Sequence, residues 1–408
     1  MKAVVFHGIG DIRLDEVEDP RLEADTDAIV RLTASAICGT DLHLVRGTVP
    51  GVRPGTILGH EGIGVVEEVG ADVRNLFPGD RVVVPSTIGC GSCAYCRAGY
   101  FAQCDNSNPN GPRAGTAFYG GPAPSGPFQG MQAERVRVPF AHVGLVKLPD
   151  EISDDDAILL SDIFPTAWFA ARIAEVKPGD TVAIFGCGPV GQLAIASALI
   201  LGAGRVLAID HREDRLDAAA RQGAEAIDFD REDPVETIRR LTGGIGVDRV
   251  IDAVGVDAEC PHHGPAARSA HAQRKQFADE VATIAPRQHP DGDNWHPGDA
   301  PSQALRWAVD AVAKAGTLSI VGVYPDAATT FPIGKAMNKN LTVNMGNCNH
   351  RRYLPELIHM VRTGAFYPSK ILTQRIPFGS AIDAYKAFDK RTPGWVKVEI
   401  EPSSVASA

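Results

Sequence analysis

The stretch TVAIFGCGPVG, residues 181–191, constrains this chain more than any other part of it. An apolar run of strand type meets glycines at 186, 188 and 191, and a helical pattern, PVGQLAIASALILG, begins at once. G-x-G-x-x-G is weak alone. Set between a strand and a helix, it reads as a βα unit of a parallel sheet. Gly186 makes the turn, Gly188 admits a pyrophosphate, and Gly191 lets helix and sheet approach. The rhythm continues through RVLAID, REDRLDAAARQG, AEAIDF, PVETIRRLTG and VDRVIDAVG, alternating strand and helix. That alternation predicts a doubly wound parallel sheet of Rossmann type. The helix opening at Pro189 and Val190 presents amide donors and positive potential to phosphates. Asp210 ends the second strand, placed to bind adenosine ribose hydroxyls and to repel a 2′-phosphate. The expected cofactor is therefore NAD, although His211, Arg212 and Arg215 add positive charge that would tolerate NADP.

A chain of 408 residues is long for one core, so two domains are expected. Residues 1–150 read as β-rich, with Ala28–Ala34, Gly64–Val69 and Arg81–Val84 as β-branched runs between Gly and Pro. EISDDDAILL then starts a helix, with Ser153 and acidic residues at its N-terminus. The expected division is a first domain of 1–150, completed by 338–408, and a cofactor domain of 151–337. Residues 257–299 interrupt the second domain. They are rich in Pro, His, Gly and charge, and read as a surface excursion with a helix at SAHAQRKQFADEVATI. QALRWAVDAVAKAG is expected as a helix, TLSIVGVY as a strand, and WVKVEIEP as a strand returning to the first domain.

The formal net charge is −10, which argues against a nucleic-acid partner. The most apolar stretch, Val182–Leu201, is broken by glycines and a proline and makes a poor membrane span. No apolar run of signal-peptide type follows Lys2. Four of the eight cysteines crowd into CGSCAYCRAGYFAQC, spaced Cys90-x2-Cys93-x2-Cys96-x7-Cys104. With no secretory signal, crowded thiols point to a metal in a reducing cytoplasm rather than to disulfides. Four thiolates close a tetrahedral Zn²⁺ site and leave no open position, so its task is structural.

Cys38, in AICGTDLHLVRG, and His60, in LGHEGIG, supply a thiolate and an imidazole that suit a second zinc. Taken singly, each also reads as a buried cysteine and a histidine in a glycine-rich turn. GHEGIGVVEEVG resembles the zinc signature G-H-E-x2-G-x5-G of the medium-chain alcohol dehydrogenases. CGTDLH resembles that family's first-ligand segment, and the four-cysteine lobe sits where the family carries its structural zinc. The resemblance spans the chain apart from the insert. It implies a GroES-like catalytic domain beside the Rossmann domain, with Cys38 and His60 as ligands of a catalytic zinc. It also implies that Asp41 orients His60 and that Glu61 stands beside the metal. LLSDIFPTAWFA is similar to the LSD-x-x-PT segment of the glutathione-independent formaldehyde dehydrogenases, which makes Asp162 the third ligand.

The resemblance further implies hydride transfer between an alcohol, or an aldehyde hydrate, and NAD. Thr40 and His43 would relay the proton, His43 as a surface base, and Thr166 would lie against the nicotinamide. A homotetramer or homodimer is expected by the same analogy. Two other readings remain open. One is an aldehyde dismutase that keeps its NAD bound, with the insert as cover. The other is a non-catalytic relative, against which the joint presence of Cys38, Thr40, His43 and His60 argues.

Overall fold

The computed structural model describes residues 1–111 and 115–402. Residues 112–114 and 403–408 lie outside it. The chain divides into two compact units. One comprises Met1–Pro165, Arg287–Trp295 and the chain from Asn347 on; the other comprises Thr166–Pro286 and His296–Gly346. Among the described residues no helix is long and apolar enough to cross a membrane.

The second unit is built on a six-stranded sheet, parallel throughout. Its strands lie side by side as Glu225–Asp228, Arg205–Asp210, Thr181–Phe185, Val247–Asp252, Val312–Ile320 and Thr342–Met345. The order steps outward one way from Thr181–Phe185 and then resumes on its other side. That is the doubly wound arrangement, whose ligand crevice lies at the C-terminal ends of the strands where the order reverses. The strands are apolar on both faces because helices cover both, and Phe185, Leu207, Ile209, Val250 and Leu318 form the core. The helix expected over QALRWAVDAVAKAG stops at Ala311. Val312 already pairs with Val247, and the strand continues through a bulge, with Ala315 at φ 59°. Sheet pairing here overrides local helix preference.

The first unit centres on the long strand Ala28–Ile37. It pairs antiparallel with Gly62–Val69, with Arg135–Val138 and with Val398–Glu401. The last of these fastens the end of the chain to the first domain's sheet. A small sheet sets Lys2–Gly8 between Asp11–Glu16 and Thr56–Ile57. Leu32, Val66, Val82 and Met131 fill one core, and Ile37, Leu44, Leu58 and Tyr385 fill another.

The insert is more than a surface excursion. Gly264–Ile284 is a helix that buries Ala266, Ala270, Phe277 and Ile284 in the second unit. Arg287–Trp295 belongs to the first unit, where Trp295 is completely buried beside Tyr385 and Phe388.

Candidate active site and metal centres

Strand register brings the first two site residues together. Ser35, near the end of Ala28–Ile37, pairs with Gly62 at the start of Gly62–Val69. The residues just outside that pair, Cys38 and His60, therefore meet at one end of the sheet. Ser35 Oγ tightens the junction by donating to the Glu61 carbonyl at 2.9 Å. Asp162 arrives from the helix Asp154–Leu160, which Ser153 caps by accepting from the Asp156 amide. The next residue, Ser161, staples that helix end to the sheet. Its hydroxyl accepts from Gly62 N at 2.9 Å and donates to the Val84 carbonyl.

The outcome is a buried cluster in which one ligand atom each of Cys38, His60, Glu61 and Asp162 lies within 4.8 Å of the others. Asp162 Oδ2 is 3.4 Å from His60 Nε2 and 3.7 Å from Cys38 Sγ. Zinc–ligand bonds of 2.0–2.3 Å place tetrahedral neighbours about 3.3–3.8 Å apart, so the spacing suits one zinc ion. The other face of His60 points at Asp41, with Nδ1 and Oδ1 3.2 Å apart and off the hydrogen-bond line; neither atom has another partner among the described residues. This is the carboxylate–imidazole pairing that leaves Nε2 for a metal. Asp41 also caps the helix Gly39–Arg46, its Oδ2 accepting from Cys38 N at 2.9 Å and from Gln132 Nε2 at 3.2 Å. The Tyr385 hydroxyl in turn donates to Gln132 Oε1 at 2.6 Å.

The field inside the cluster favours positive charge. Burial opposes a charge on His60, yet the Asp41 carboxylate and the Cys38 thiol hold its affinity for protons well above the ordinary value. Burial also works against ionised Asp162, but hydrogen bonds from His350 and His60 keep its carboxyl well below the usual range. Burial pushes the Cys38 thiol up. A cation at the centre reverses that last effect and deprotonates the thiol. The donor set fits zinc: a thiolate, an imidazole and a carboxylate, with the second carboxylate of Glu61 beside them.

Glu61 is also fully buried, and its partner is a residue that local sequence does not point to. Lys397 Nζ donates to Glu61 Oε2 and, at 3.0 Å, to the Ile37 carbonyl. Burial lowers the proton affinity of Lys397, but the Glu61 carboxylate more than restores it. His350 is equally remote, with Nε2 at 2.7 Å from Asp162 Oδ1. Thr40 is half-buried, its Oγ1 3.9 Å from Cys38 Sγ. His43 is not at the surface as expected, because the helix Gly39–Arg46 buries its residues from Asp41 to Arg46. The imidazole is 3% exposed, with Nδ1 2.8 Å from Thr48 Oγ1.

The second cysteine set is also assembled. The sulfurs of Cys90, Cys93, Cys96 and Cys104 lie within 4.8 Å of one another, and no disulfide joins them. The amide of Cys93 donates to Cys90 Sγ at 3.4 Å and that of Cys96 to Cys93 Sγ at 3.4 Å. Asn106 Nδ2 adds a bond to Cys90 Sγ at 3.3 Å. Burial opposes a Cys90 thiolate, but the Ser92 hydroxyl and the amides of Ser92 and Cys93 bring its pKa down to about 6. Donors aimed at sulfur stabilise the thiolates that a closed zinc site requires.

In the other unit, Gly186 has φ +88°, a conformation L side chains avoid. A Cβ on Gly191 would stand 1.8 Å from the Gly186 carbonyl oxygen. Gly188 N-caps the helix Pro189–Ile200 with no side-chain hydrogen bond, so no cap side chain covers the first-turn amides beyond Pro189, starting with Val190, an arrangement suited to an anion. Asp210 Oδ2 accepts from Cys187 N at 2.7 Å, and Oδ1 from the His211 and Arg212 amides at 2.7 and 3.0 Å. Asp210 thus braces the turn as well as standing at the expected ribose site. Burial opposes its charge, but Arg215 and those amides hold its pKa below the ordinary value. Arg215 Nη1 lies 3.8 Å from where a Gly188 Cβ would be. The His211 ring is turned away, 2.7 Å from Glu259 Oε2 and 3.2 Å from Asp230 Oδ2, and stacked on Phe229. Thr166 is half-buried in the helix Ile163–Ile173.

Residues 24–150 match the alcohol dehydrogenase GroES-like domain, and residues 189–261 match the zinc-binding dehydrogenase domain. The chain is 36% identical to the zinc-type alcohol dehydrogenase-like protein AdhB of Bacillus subtilis, over 98% of this chain and 100% of that one. It is 36% identical to a glutathione-independent formaldehyde dehydrogenase of Pseudomonas aeruginosa, over 100% of this chain and 99% of the relative. Among solved structures, the alcohol dehydrogenase TADH from Thermus sp. ATN1 superposes with a TM-score of 0.79 at 35% identity, covering 98% of this chain and 99% of that one. Two domain matches in the expected order and full-length relatives above 30% identity establish the assignment: the chain belongs to the zinc-type medium-chain alcohol dehydrogenase family of oxidoreductases.

Proposed function

We propose that this chain is an NAD-linked dehydrogenase that binds a catalytic zinc through Cys38, His60 and Asp162 and oxidises an alcohol or an aldehyde hydrate. The observation that carries the reading is the convergence of those three buried donors with Asp41 behind His60 Nδ1. A bound zinc would supply Lewis acidity towards a substrate oxygen, and NAD would serve as the hydride acceptor. Cys38 and Asp162 contribute negative charge that balances the ion, while Lys397 offsets Glu61. Three protein donors leave a fourth position for substrate. The Thr40 hydroxyl, close to Cys38, is the group placed to take the substrate proton. His43 and Thr48 would pass it on within the same helix and turn. In the other unit, the glycine turn and the amides after Gly188 would hold the pyrophosphate. Arg215 would stand beside it, Asp210 would take the ribose hydroxyls, and Thr166 would approach the nicotinamide. The diversion of His211 to Asp230 and Glu259 takes one positive group away from Asp210, whose carboxylate repels a 2′-phosphate even with Arg215 nearby, which supports NAD over NADP.

The Cys90–Cys104 set would hold a second, structural zinc, making two per chain. Reduced thiols of this kind agree with a cytoplasmic setting. A homodimer or homotetramer is part of the same reading. The edge strand Thr342–Met345 leaves Met345 63% exposed, and Met337 is 71% exposed nearby in sequence. Such surface is managed in many proteins by pairing with a second copy.

The deciding experiment is a panel of alcohols and aldehydes assayed with NAD, with NADP and with neither, at measured zinc content. NAD-dependent turnover, with one zinc lost in Asp162→Ala, is expected. Aldehyde turnover without added cofactor would replace the dehydrogenase reading with a dismutase. Two zincs retained in Asp162→Ala would remove Asp162 from the site.

A further inference from the structure

The two carboxylate oxygens of Asp162 face different partners. Oδ2 points into the cluster with His60 and Cys38, as described above. Oδ1 lies 2.7 Å from His350 Nε2. An ionised carboxylate only accepts, so Nε2 carries the proton. The other ring nitrogen, Nδ1, is 3.0 Å from Thr87 Oγ1, a hydroxyl that also lies 3.3 Å from the Cys348 carbonyl. The side chain is 3% exposed, held at both nitrogens.

The backbone that carries His350 is itself anchored. His350 opens the helix His350–Arg362. The preceding residue, Asn349, accepts through Oδ1 from Ala102 N at 3.0 Å, inside the four-cysteine lobe. Asn347 Nδ2 donates to Thr116 Oγ1 at 2.6 Å, and Arg351 Nε donates to the Val143 carbonyl at 2.8 Å. His350 is therefore presented to Asp162 by a segment tied down on both sides of it.

We propose that His350 is a positioning residue that occupies Oδ1 of Asp162, so that the carboxylate meets the catalytic zinc through Oδ2 alone. This rests on the reading of Asp162 as a ligand. A carboxylate free to swing can chelate through both oxygens and fill the position that a substrate oxygen needs. A hydrogen bond to the non-coordinating oxygen prevents that, and it fixes the ligand's direction as outer partners of ligating groups do. His350 thus does for the aspartate what Asp41 does for the histidine. Each of these two ligands is held by a group from a different part of the sequence.

The test compares His350→Leu, which removes the donor, with His350→Gln, which keeps an N–H within reach. Zinc affinity of the catalytic site is measured by chelator competition, and the site is then loaded with Co²⁺ to read its visible bands. Zinc in the cysteine site serves as the internal check on folding. His350→Leu is expected to weaken the catalytic site about 10–100-fold and to shift the Co²⁺ bands, with His350→Gln recovering part of both. If His350→Leu does not fold, Thr87→Val serves instead, and the same band shift with a smaller loss of affinity is expected. Unchanged affinity and bands in the folded variant overturn the proposal while leaving Asp162 a ligand, provided that Asp162→Ala has lost its zinc. If Asp162→Ala keeps both zincs, the ligand reading fails and this proposal falls with it.

Discussion

Lys397 and Glu61, 336 residues apart in sequence, form an ion pair in which neither side chain is exposed to solvent. The lysine also donates to the Ile37 carbonyl, one residue before Cys38. Removing one partner of such a pair strands a buried charge, at a cost of about 3–5 kcal/mol, whereas removing both is far milder. Lys397→Met should therefore destabilise the protein by about that amount. Adding Glu61→Gln should recover most of the loss. Urea unfolding of the single and double variants checks this. A Lys397→Met protein within about 1 kcal/mol of wild type would mean that the pair is not held as a charge pair.

The same lysine shows where the sequence stops being legible. In WVKVEIEP the alternation of Val396, Val398 and Ile400 marks one inward face, so Lys397 and Glu399 read as the solvent face. The structure buries both faces, with Lys397 at 0% and Glu399 at 3% exposure. Which face is covered depends on partners that no local pattern encodes. The glycine turn and the Cys90–Cys104 lobe were readable because each is assembled within a short window of chain. Cys38 and His60 needed the family resemblance, since the Ser35–Gly62 register that unites them is a long-range property. His350, Thr87 and Gln132 carry no motif of their own, and only their placement beside Asp162 and Asp41 marks them.

Trp295 makes the same point within the insert. A lone aromatic among Pro, Gly and Asp residues has no periodicity, yet it is one of the largest fully buried side chains. Its amide and the Asn294 side chain donate to Asp389 Oδ2, while Arg46, from the helix carrying Thr40 and His43, pairs with Asp389 Oδ1. Trp295→Ala should cost about 3–5 kcal/mol, the usual price of emptying a core tryptophan site. The midpoint of thermal or urea unfolding measures it. A loss below about 1 kcal/mol would show the side chain to be dispensable to the core.

The cofactor unit can be tested without touching the zinc. In Gly191→Ala the new methyl would stand 1.8 Å from the Gly186 carbonyl oxygen, a backbone atom with no freedom to retreat. The helix must shift away from the turn, withdrawing the amides that would face the pyrophosphate. NAD affinity should fall at least about tenfold, or about 1.4 kcal/mol, with both zincs retained. Titration of cofactor binding alongside metal analysis gives the answer. Wild-type NAD affinity in this variant would place the dinucleotide elsewhere.

Glu399 predicts a pH dependence with a definite sign. Its side chain is buried, and among the described residues Oε2 has no hydrogen-bond partner. Burial raises its pKa from 4.5 to about 7; Asp155, Glu401 and Asp154 add to the rise, and Arg375 opposes it. The native state therefore binds the proton more tightly than the unfolded chain does. Below the unfolded value of 4.5 both states are protonated and the group costs nothing. As pH rises from there to about 7, the unfolded chain sheds its proton first and stability falls. The slope from this one group is at most about 1.4 kcal/mol per pH unit, less whatever solvent screening removes. Other buried groups titrate as well, so the informative quantity is the difference between wild type and Glu399→Gln. The variant carries no charge to bury, and it should gain on wild type as pH rises through this window. Unfolding free energies of the two proteins that run parallel with pH would show that Glu399 ionises as freely in the fold as outside it.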